Sequence, residues 1–254
     1  MSYFLGYCLL AILGLLLGSF YNVVGLRVPA NKSIIAPRSS CPCCGHMLTS
    51  MELIPIFSYL FQKGKCKKCN MPISPLYPIM ELLTSLLFTI SPVLIGWTAE
   101  LLVALTFISL FIILFITDLT YMIIPDKVLL FFFCFFIIEH LFIPFVSWSD
   151  SLIGAIVGFG LLLSIAYLSK GGMGGGDIKL FALLGFVLGW KLVLLTLFLA
   201  SLLGATAGGI GLLAGYINRK KPIPFAPFIM TGALAAYFFG DEMIRWYLQI
   251  SFNI

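Results

Sequence analysis

Eight apolar runs leave this chain little choice of solvent. They lie at roughly 3–26, 78–96, 99–117, 128–146, 151–168, 178–190, 192–217 and 224–247. Each is close to the ~20 residues an α-helix needs to cross hydrocarbon. The sixth, at 13 residues, is expected to extend through Lys191 or to tilt. The spacing predicts an all-α integral membrane protein, a polytopic bundle of about eight transmembrane helices. Chain breakers agree with these cuts: Ser91-Pro92 and Gly96-Trp97, Pro144 ahead of Ser147-Trp148-Ser149-Asp150, and Pro222-Ile223-Pro224 before the last run. Apolar residues make up 61% of the chain, charged residues 10%, and mean hydropathy is +1.11, which excludes a soluble domain of this size. The first run is too long for a secretory signal and lacks a basic leader and a small-residue cleavage site, so it reads as a retained span. No repeat or heptad is evident, and the one low-complexity stretch is the glycine cluster at 171–176.

Basic residues set the expected orientation. With the loop after the first run placed inside, the inner segments hold Arg27, Lys32, Arg38, Lys63, Lys65, Lys67, Lys68, Lys127, Lys170, Lys179, Arg219, Lys220 and Lys221. That is 13 of the 15 basic residues, and only Lys191 and Arg245 fall outside. Such a bias makes the loop side cytoplasmic and puts both termini on the other side. The net charge of +5 therefore reports orientation and gives no indication of a nucleic-acid partner.

The loop between the first two spans, 27–77, holds Cys41-x-x-Cys44 and Cys66-x-x-Cys69, with the pairs 22 positions apart. Two knuckles at that spacing bring four thiolates around one tetrahedral zinc ion. Gly45 and Asn70 follow the pairs and tolerate the left-handed turn that closes a knuckle. Cytoplasmic thiols stay reduced, which disfavours disulfides. A loop with few large apolar side chains needs a metal to supply folding energy, so the zinc is expected to be structural and the loop zinc-ribbon-like. Free thiols are the competing reading. Cys43 is an extra thiol in the first knuckle, His46 reads as a surface residue, and Cys8 and Cys134 read as small core residues in apolar helices.

Two aspartates stand at the ends of apolar runs. Asp118 closes one, in Asp118-Leu119-Thr120-Tyr121, and Asp177 opens another after Gly174-Gly175-Gly176. The topology above puts both at the cytoplasmic boundary, where an ionisable residue suggests a functional site. Asp118 ends a helix, where the macrodipole opposes a negative charge. Asp126, beside Pro125, reads as a helix cap, and capping competes with function for Asp177 as well. The glycines allow close backbone approach and positive φ. A phosphate-binding loop is excluded because the Lys-Ser/Thr signature is missing and Lys179 is out of register. His46 and His140 are the only histidines, so neither HExxH nor a serine–histidine pair is available. Paired carboxylates remain for hydrolysis, which points to an intramembrane aspartyl protease.

These motifs together resemble the bacterial type IV prepilin peptidases, the leader peptidase/N-methyltransferases of the GxGD aspartyl protease group. The likeness covers nearly the whole chain. It runs from Gly18-Ser19-Phe20 and Asn22-Val23-Val24 through Cys41-Pro42-x-Cys44-Gly45-His46 and Leu53-Ile54-Pro55-Ile56. It continues through Gly64-Lys65-Cys66-x-x-Cys69, Pro72-Ile73-Ser74 and Tyr77-Pro78-x-x-Glu81 to Gly-x-Gly-Asp at 174–177 and Pro224-Phe225-Ala226-Pro227-Phe228. The resemblance implies catalytic roles for Asp118 and Asp177, with Gly174, Gly176, Glu81 and Lys179 in support, and a zinc loop using Cys41, Cys44, Cys66 and Cys69. It implies cleavage of a basic leader from prepilins or pseudopilins at the cytoplasmic face of the bacterial inner (plasma) membrane. Methylation of the new N-terminus with S-adenosyl-L-methionine follows, for which Glu81 is a candidate contact to the substrate ammonium. The expected division is a first transmembrane helix at 1–26, a four-cysteine loop at 27–77 and a protease domain at 78–254, with membrane lipid as the surrounding partner. An ion- or proton-coupled transporter using the same acids, and an assembly factor that only docks a partner, are the competing readings.

Overall fold

The computed structural model describes residues 2–169, 173–215 and 224–252. Lys170, Gly171, Gly172, Arg219, Lys220, Lys221, Pro222 and Ile223, to which the sequence assigns roles in charge and turns, lie outside the described residues. The elements are α1 (Ser2–Arg27), a 3-10 turn (Ser50–Leu53), α2 (Phe57–Phe61), α3 (Leu76–Ile95), α4 (Glu100–Tyr121), α5 (Asp126–Phe142), α6 (Trp148–Leu168), α7 (Gly175–Leu213) and α8 (Ala226–Phe252). Among the described residues there is no β-strand, and two isolated bridges occur in the cysteine loop. Among the described residues five helices, α1, α3, α4, α6 and α7, are long and apolar enough to cross a membrane. The chain is a multi-pass membrane protein.

The 39 residues of α7 would make a rod of about 58 Å, roughly twice the hydrocarbon thickness. Gly189 resolves the mismatch. Its φ of 75° and ψ of 173° interrupt the helix, leaving segments 175–188 and 190–213, the two runs expected as separate spans. Only a glycine adopts such dihedrals without strain. Other boundaries move modestly. The helix expected at 99–117 continues to Tyr121, so Asp118 sits one turn inside it, with the Met122 amide donating to the Asp118 carbonyl at 2.9 Å. Cys134 is exposed and Cys8 only partly covered, so neither is the core residue their helices suggested.

The chain divides into two compact units, Met1–Thr117 and Asp118–Ile254, the division falling near the end of α4. In the first unit α1 packs on α3 through small residues. A Cβ at Gly18 would stand 2.8 Å from the Glu81 Cα, and Ser85 donates to the Ala11 carbonyl at 2.9 Å. Asn22 donates to the carbonyls of Gly18 and Tyr77 at 3.2 Å each, and Tyr21 donates to Ser109 at 2.6 Å. Lipid gives helices no hydrophobic reason to associate, so close backbone contact and such hydrogen bonds hold them together.

In the second unit α6 and α7 meet backbone to backbone. A Cβ on Gly154 would overlap the Gly185 carbonyl, one on Gly185 the Gly154 carbonyl, and one on Gly158 the Phe181 carbonyl. Segment 190–213 meets α8 in the same way, with Gly232 against the Thr196 carbonyl and the Ala200 amide. Gly154→Leu should therefore destabilise the unit by about 3 kcal/mol, the upper end of overpacking effects, because the obstacle is backbone. Gly160, around which nothing lies within 4 Å, is the control: Gly160→Ala should leave stability unchanged or raise it by up to ~1 kcal/mol. Unfolding in detergent checks both.

Candidate functional site

Asp118 is the least exposed carboxylate of the second unit, 7% accessible. Its own helix ends one turn later, where unsatisfied carbonyls make a poor environment for negative charge. The structure offsets this with a different helix. The Ala226 amide, the first of α8, donates to Asp118 Oδ2 at 3.2 Å, and an anion at a helix N-terminus is favoured by the free amides and by the dipole. Ala226 is 1% exposed. It was missed from sequence, although Pro224-Phe225-Ala226-Pro227-Phe228 was legible as a motif; nothing local shows that an amide there meets a residue 108 positions away.

Asp177 occupies the first turn of α7. The cap is Gly174, in extended geometry (φ −69°, ψ 141°), so Asp177 does not precede the helix as expected but is its third residue. The Asp177 amide donates to the Gly174 carbonyl at 3.1 Å, and the Gly174 amide returns a bond to the Asp177 carboxylate. Asp177 is half-buried, and its carboxylate lies near enough to that of Asp118 to feel its charge. The two residues brought together here are the ones sequence reasoning paired. The glycines act differently from the expectation. None of Gly174, Gly175 and Gly176 has positive φ. Gly176 is required by proximity, since a Cβ there would stand 2.8 Å from the Ile124 Cβ, while nothing lies within 4 Å of one at Gly175.

Asp126 is not the cap of α5; Pro125 is. The Asp126 carboxylate accepts from Lys179 Nζ at 2.7 Å, with both side chains more than half exposed. Lys179 therefore ties the start of α7 to the start of α5. A pair this exposed contributes little stability.

In the first unit the four sulfurs of Cys41, Cys44, Cys66 and Cys69 lie within 4.8 Å of one another. Cys41 to Cys69 is 3.7 Å and Cys44 to Cys66 is 4.0 Å, close to the ~3.8 Å edge of a tetrahedron with 2.3 Å zinc–sulfur bonds. Cys43 is exposed and outside the cluster. The two knuckles are copies of one another, a repeat not evident from sequence. The Cys41 and Cys66 amides donate to the carbonyls of His46 and Met71, the Gly45 and Asn70 amides donate back to Cys41 and Cys66, and bridges join Ser40 to Met47 and Lys65 to Pro72. Gly45 (φ 67°) and Asn70 (φ 57°) take the left-handed conformation expected of them. Amides of Cys44 and Cys43 hold the Cys41 thiol down at about 6, and amides of Cys69 and Lys68 lower Cys66. The Met71 amide also lowers Cys69, but burial and the neighbouring sulfurs outweigh it and push that thiol up to about 12. A cluster that gathers negative charge while its last thiol resists ionising suits a soft cation, and the donor set fits zinc.

Two acids organise this loop: Glu52, which sequence reasoning missed, and Glu81, which it named as site support without its loop partner. His46 is not a simple surface histidine: its Nε2 lies 3.3 Å from buried Glu52. Glu52 also accepts from the Thr49 amide at 2.9 Å and the Thr49 hydroxyl at 2.8 Å. The Thr49 amide is the main reason Glu52 is held at about 2; the hydroxyl and His46 add to it, and burial opposes. The Thr-x-x-Glu pattern of a capping box was the available signal. Glu81, 7% exposed in α3, accepts from the Ile56 amide at 2.7 Å and bonds the Ser19 side chain. Its carboxylate thus joins α1, α3 and the loop. His140 is 1% exposed and packs its ring edge-on against Phe145, Trp148 and Phe186.

Comparison with known proteins follows the same lines. Residues 12–95 match the Bacterial Peptidase A24 N-terminal domain, and residues 105–209 match the Type IV leader peptidase family. The prepilin leader peptidase/N-methyltransferase of Bacillus subtilis (strain 168) is 48% identical over 96% of this chain and 98% of its own length. Proteins of the same description from Aeromonas hydrophila and Pseudomonas aeruginosa are each 36% identical, over 95% and 94% of this chain and 93% and 92% of theirs. No solved structure matches.

Proposed function

We propose that this chain, which belongs to the type IV leader peptidase family, removes the basic leader of type IV prepilins or pseudopilins with Asp118 and Asp177 and then methylates the new N-terminus. The observation that carries the reading is the meeting of these two carboxylates where α4 ends and α7 and α8 begin. Neighbouring carboxylates disfavour a second negative charge, so one can stay protonated while the other is ionised, and their titration then belongs to the pair. The ionised member takes a proton from water as that water attacks the scissile carbonyl. The protonated member gives its proton to the carbonyl oxygen, and collapse of the adduct returns a proton to the departing amine. The Ala226 amide and the α8 terminus keep one charge bearable in an apolar setting. Gly174 and Gly176 support the site by letting the Asp177 carboxylate and Ile124 lie against the start of α7, and Lys179, paired with Asp126, puts a cation at the same helix end.

The site is assigned to the cytoplasmic face of the bacterial inner membrane, supported by the basic residues around the same helix ends. The four-cysteine loop, 27–77, would hold a structural zinc through Cys41, Cys44, Cys66 and Cys69, which fixes the two knuckles. S-adenosyl-L-methionine would supply the methyl group in the second reaction, and Glu81 holds the loop on α3 through the Ile56 amide. Residues 78–254 are assigned to proteolysis. The relatives quoted are peptidases, which leaves the transporter reading without support. The test is incubation of the purified protein with a prepilin: a shortened product with a new N-terminus supports the reading, and an intact prepilin at equimolar enzyme sinks it.

Proline is tolerated at the first residue of a helix, so Ala226→Pro removes the amide bonded to Asp118 while leaving α8 able to form. A hydrogen bond to a charged group contributes about 1.5–3 kcal/mol, so cleavage should slow roughly 10- to 100-fold and the pH profile should move. Ala226→Gly keeps the amide and should keep the rate.

A further inference from the structure

The short helix α2 exposes three large apolar side chains although the loop around it is anchored. Phe57 is 55% exposed, Leu60 64% and Phe61 84%. Their spacing of three and four residues puts them on one face. The residue just before them, Ile56, has φ 60°, which a β-branched side chain resists. It is held there by the 2.7 Å bond from its amide to Glu81. Glu81 is the sixth residue of α3, a membrane span beginning at Leu76, so this anchor lies roughly 8 Å along the span from its end. An element starting one residue beyond that anchor is held at the level of the hydrocarbon boundary, where exposed phenylalanines meet acyl chains and not water. Immediately after α2 come Lys63, Lys65, Lys67 and Lys68, all exposed, a charge pattern complementary to anionic headgroups.

We propose that α2 and the four lysines after it form an interfacial docking element, with Phe57, Leu60 and Phe61 in the acyl boundary and the lysines on the phosphates of anionic phospholipids. An apolar face next to basic residues is the form such elements take. A basic prepilin leader is the less suitable occupant, because four lysines repel it. The element would hold the four-cysteine loop against the bilayer next to the Glu81 bond.

The test uses the full chain in nanodiscs, with p-benzoyl-L-phenylalanine at Phe61 or, as a lipid-facing control, at Val93 of α3, which is 69% exposed. On irradiation the Phe61 probe should give lipid adducts by mass. Their yield should be about two- to fivefold higher with phosphatidylglycerol present than with phosphatidylcholine alone, in proportion to electrostatic attraction of the lysines. Replacing Lys63, Lys65, Lys67 and Lys68 with glutamine should remove that difference, with zinc content measured to show that the knuckles persist. Lipid adducts at Val93 but none at Phe61 would overturn the proposal, as would Phe61 adducts formed only with protein, whether a second copy or added prepilin.

Discussion

Asp118→Asn and Asp177→Asn should each reduce prepilin cleavage by roughly 10³-fold or more, within the range expected when positioned acid–base chemistry is removed. Asparagine keeps the volume and the hydrogen-bond acceptor, so at position 118 it still receives the Ala226 amide, and at position 177 it still receives that of Gly174. What it removes is the ionisable carboxyl that takes up and gives back a proton. With one carboxylate left there is no proton-sharing pair, so the double variant should be barely slower than either single one. Helix content and thermal unfolding should match the parent. Methylation of an already shortened pilin should persist in both variants, which separates lost chemistry from lost folding. Either variant cleaving at the parent rate would exclude that residue from catalysis. Asp126→Asn, by contrast, loses only an exposed pair with Lys179 and should stay within about 0.5 kcal/mol of parent stability.

Cys41→Ser combined with Cys66→Ser should bring bound zinc to background and unfold the loop. Each knuckle loses the sulfur whose amide bonds and low thiol pKa make it the first to ionise. Structural zinc contributes about 10–16 kcal/mol of apparent binding energy in small metal-folded domains, far more than a segment of this size gains from its own core. Hydrogen exchange across 39–72 should become fast, and a strong chelator should give the parent the same pattern. Cleavage should be the less affected activity, since Asp118, Asp177 and Ala226 all belong to the second unit, and methylation the more affected. The metal-free parent should also bind zinc more weakly as pH falls. The Cys41 thiol, held at about 6, is ionised above that value. Below it, one more proton competes with the metal, and affinity should drop more steeply. Unchanged zinc content in the double variant would remove the metal assignment.

Most of the bundle was open to a reader of the chain because lipid imposes a crude rule. A span must be apolar for about 20 residues, so the runs, their breaks and even the division of α7 near Gly189 follow from composition along the chain. Helix ends were harder to place. Asp118 and Asp177 each stand inside a first or last turn and not outside it, because helix termini are settled by hydrogen bonds that one-dimensional patterns do not record. The cysteine quartet was legible because thiolate chemistry demands a fixed spacing and left-handed turns after it, both visible as residue types. The partner of Glu81 was not. Its bond to Ile56 spans 25 positions and depends on how the loop folds back on α3.

The amino-acid sequence by itself determined that this chain lives in a membrane, that its basic residues cluster on one side, and which two acids and four thiols are the candidates for its chemistry. Those are consequences of residue type and spacing, which act locally. Only the tertiary structure decided that Asp118 meets Asp177, that the Ala226 amide sits on Asp118, that Asp126 belongs to Lys179 and that Gly176 is needed for Ile124. Each depends on which helix ends pack together, and packing without a hydrophobic drive is set by backbone contacts such as Gly154 on Gly185, whose partners no local pattern names.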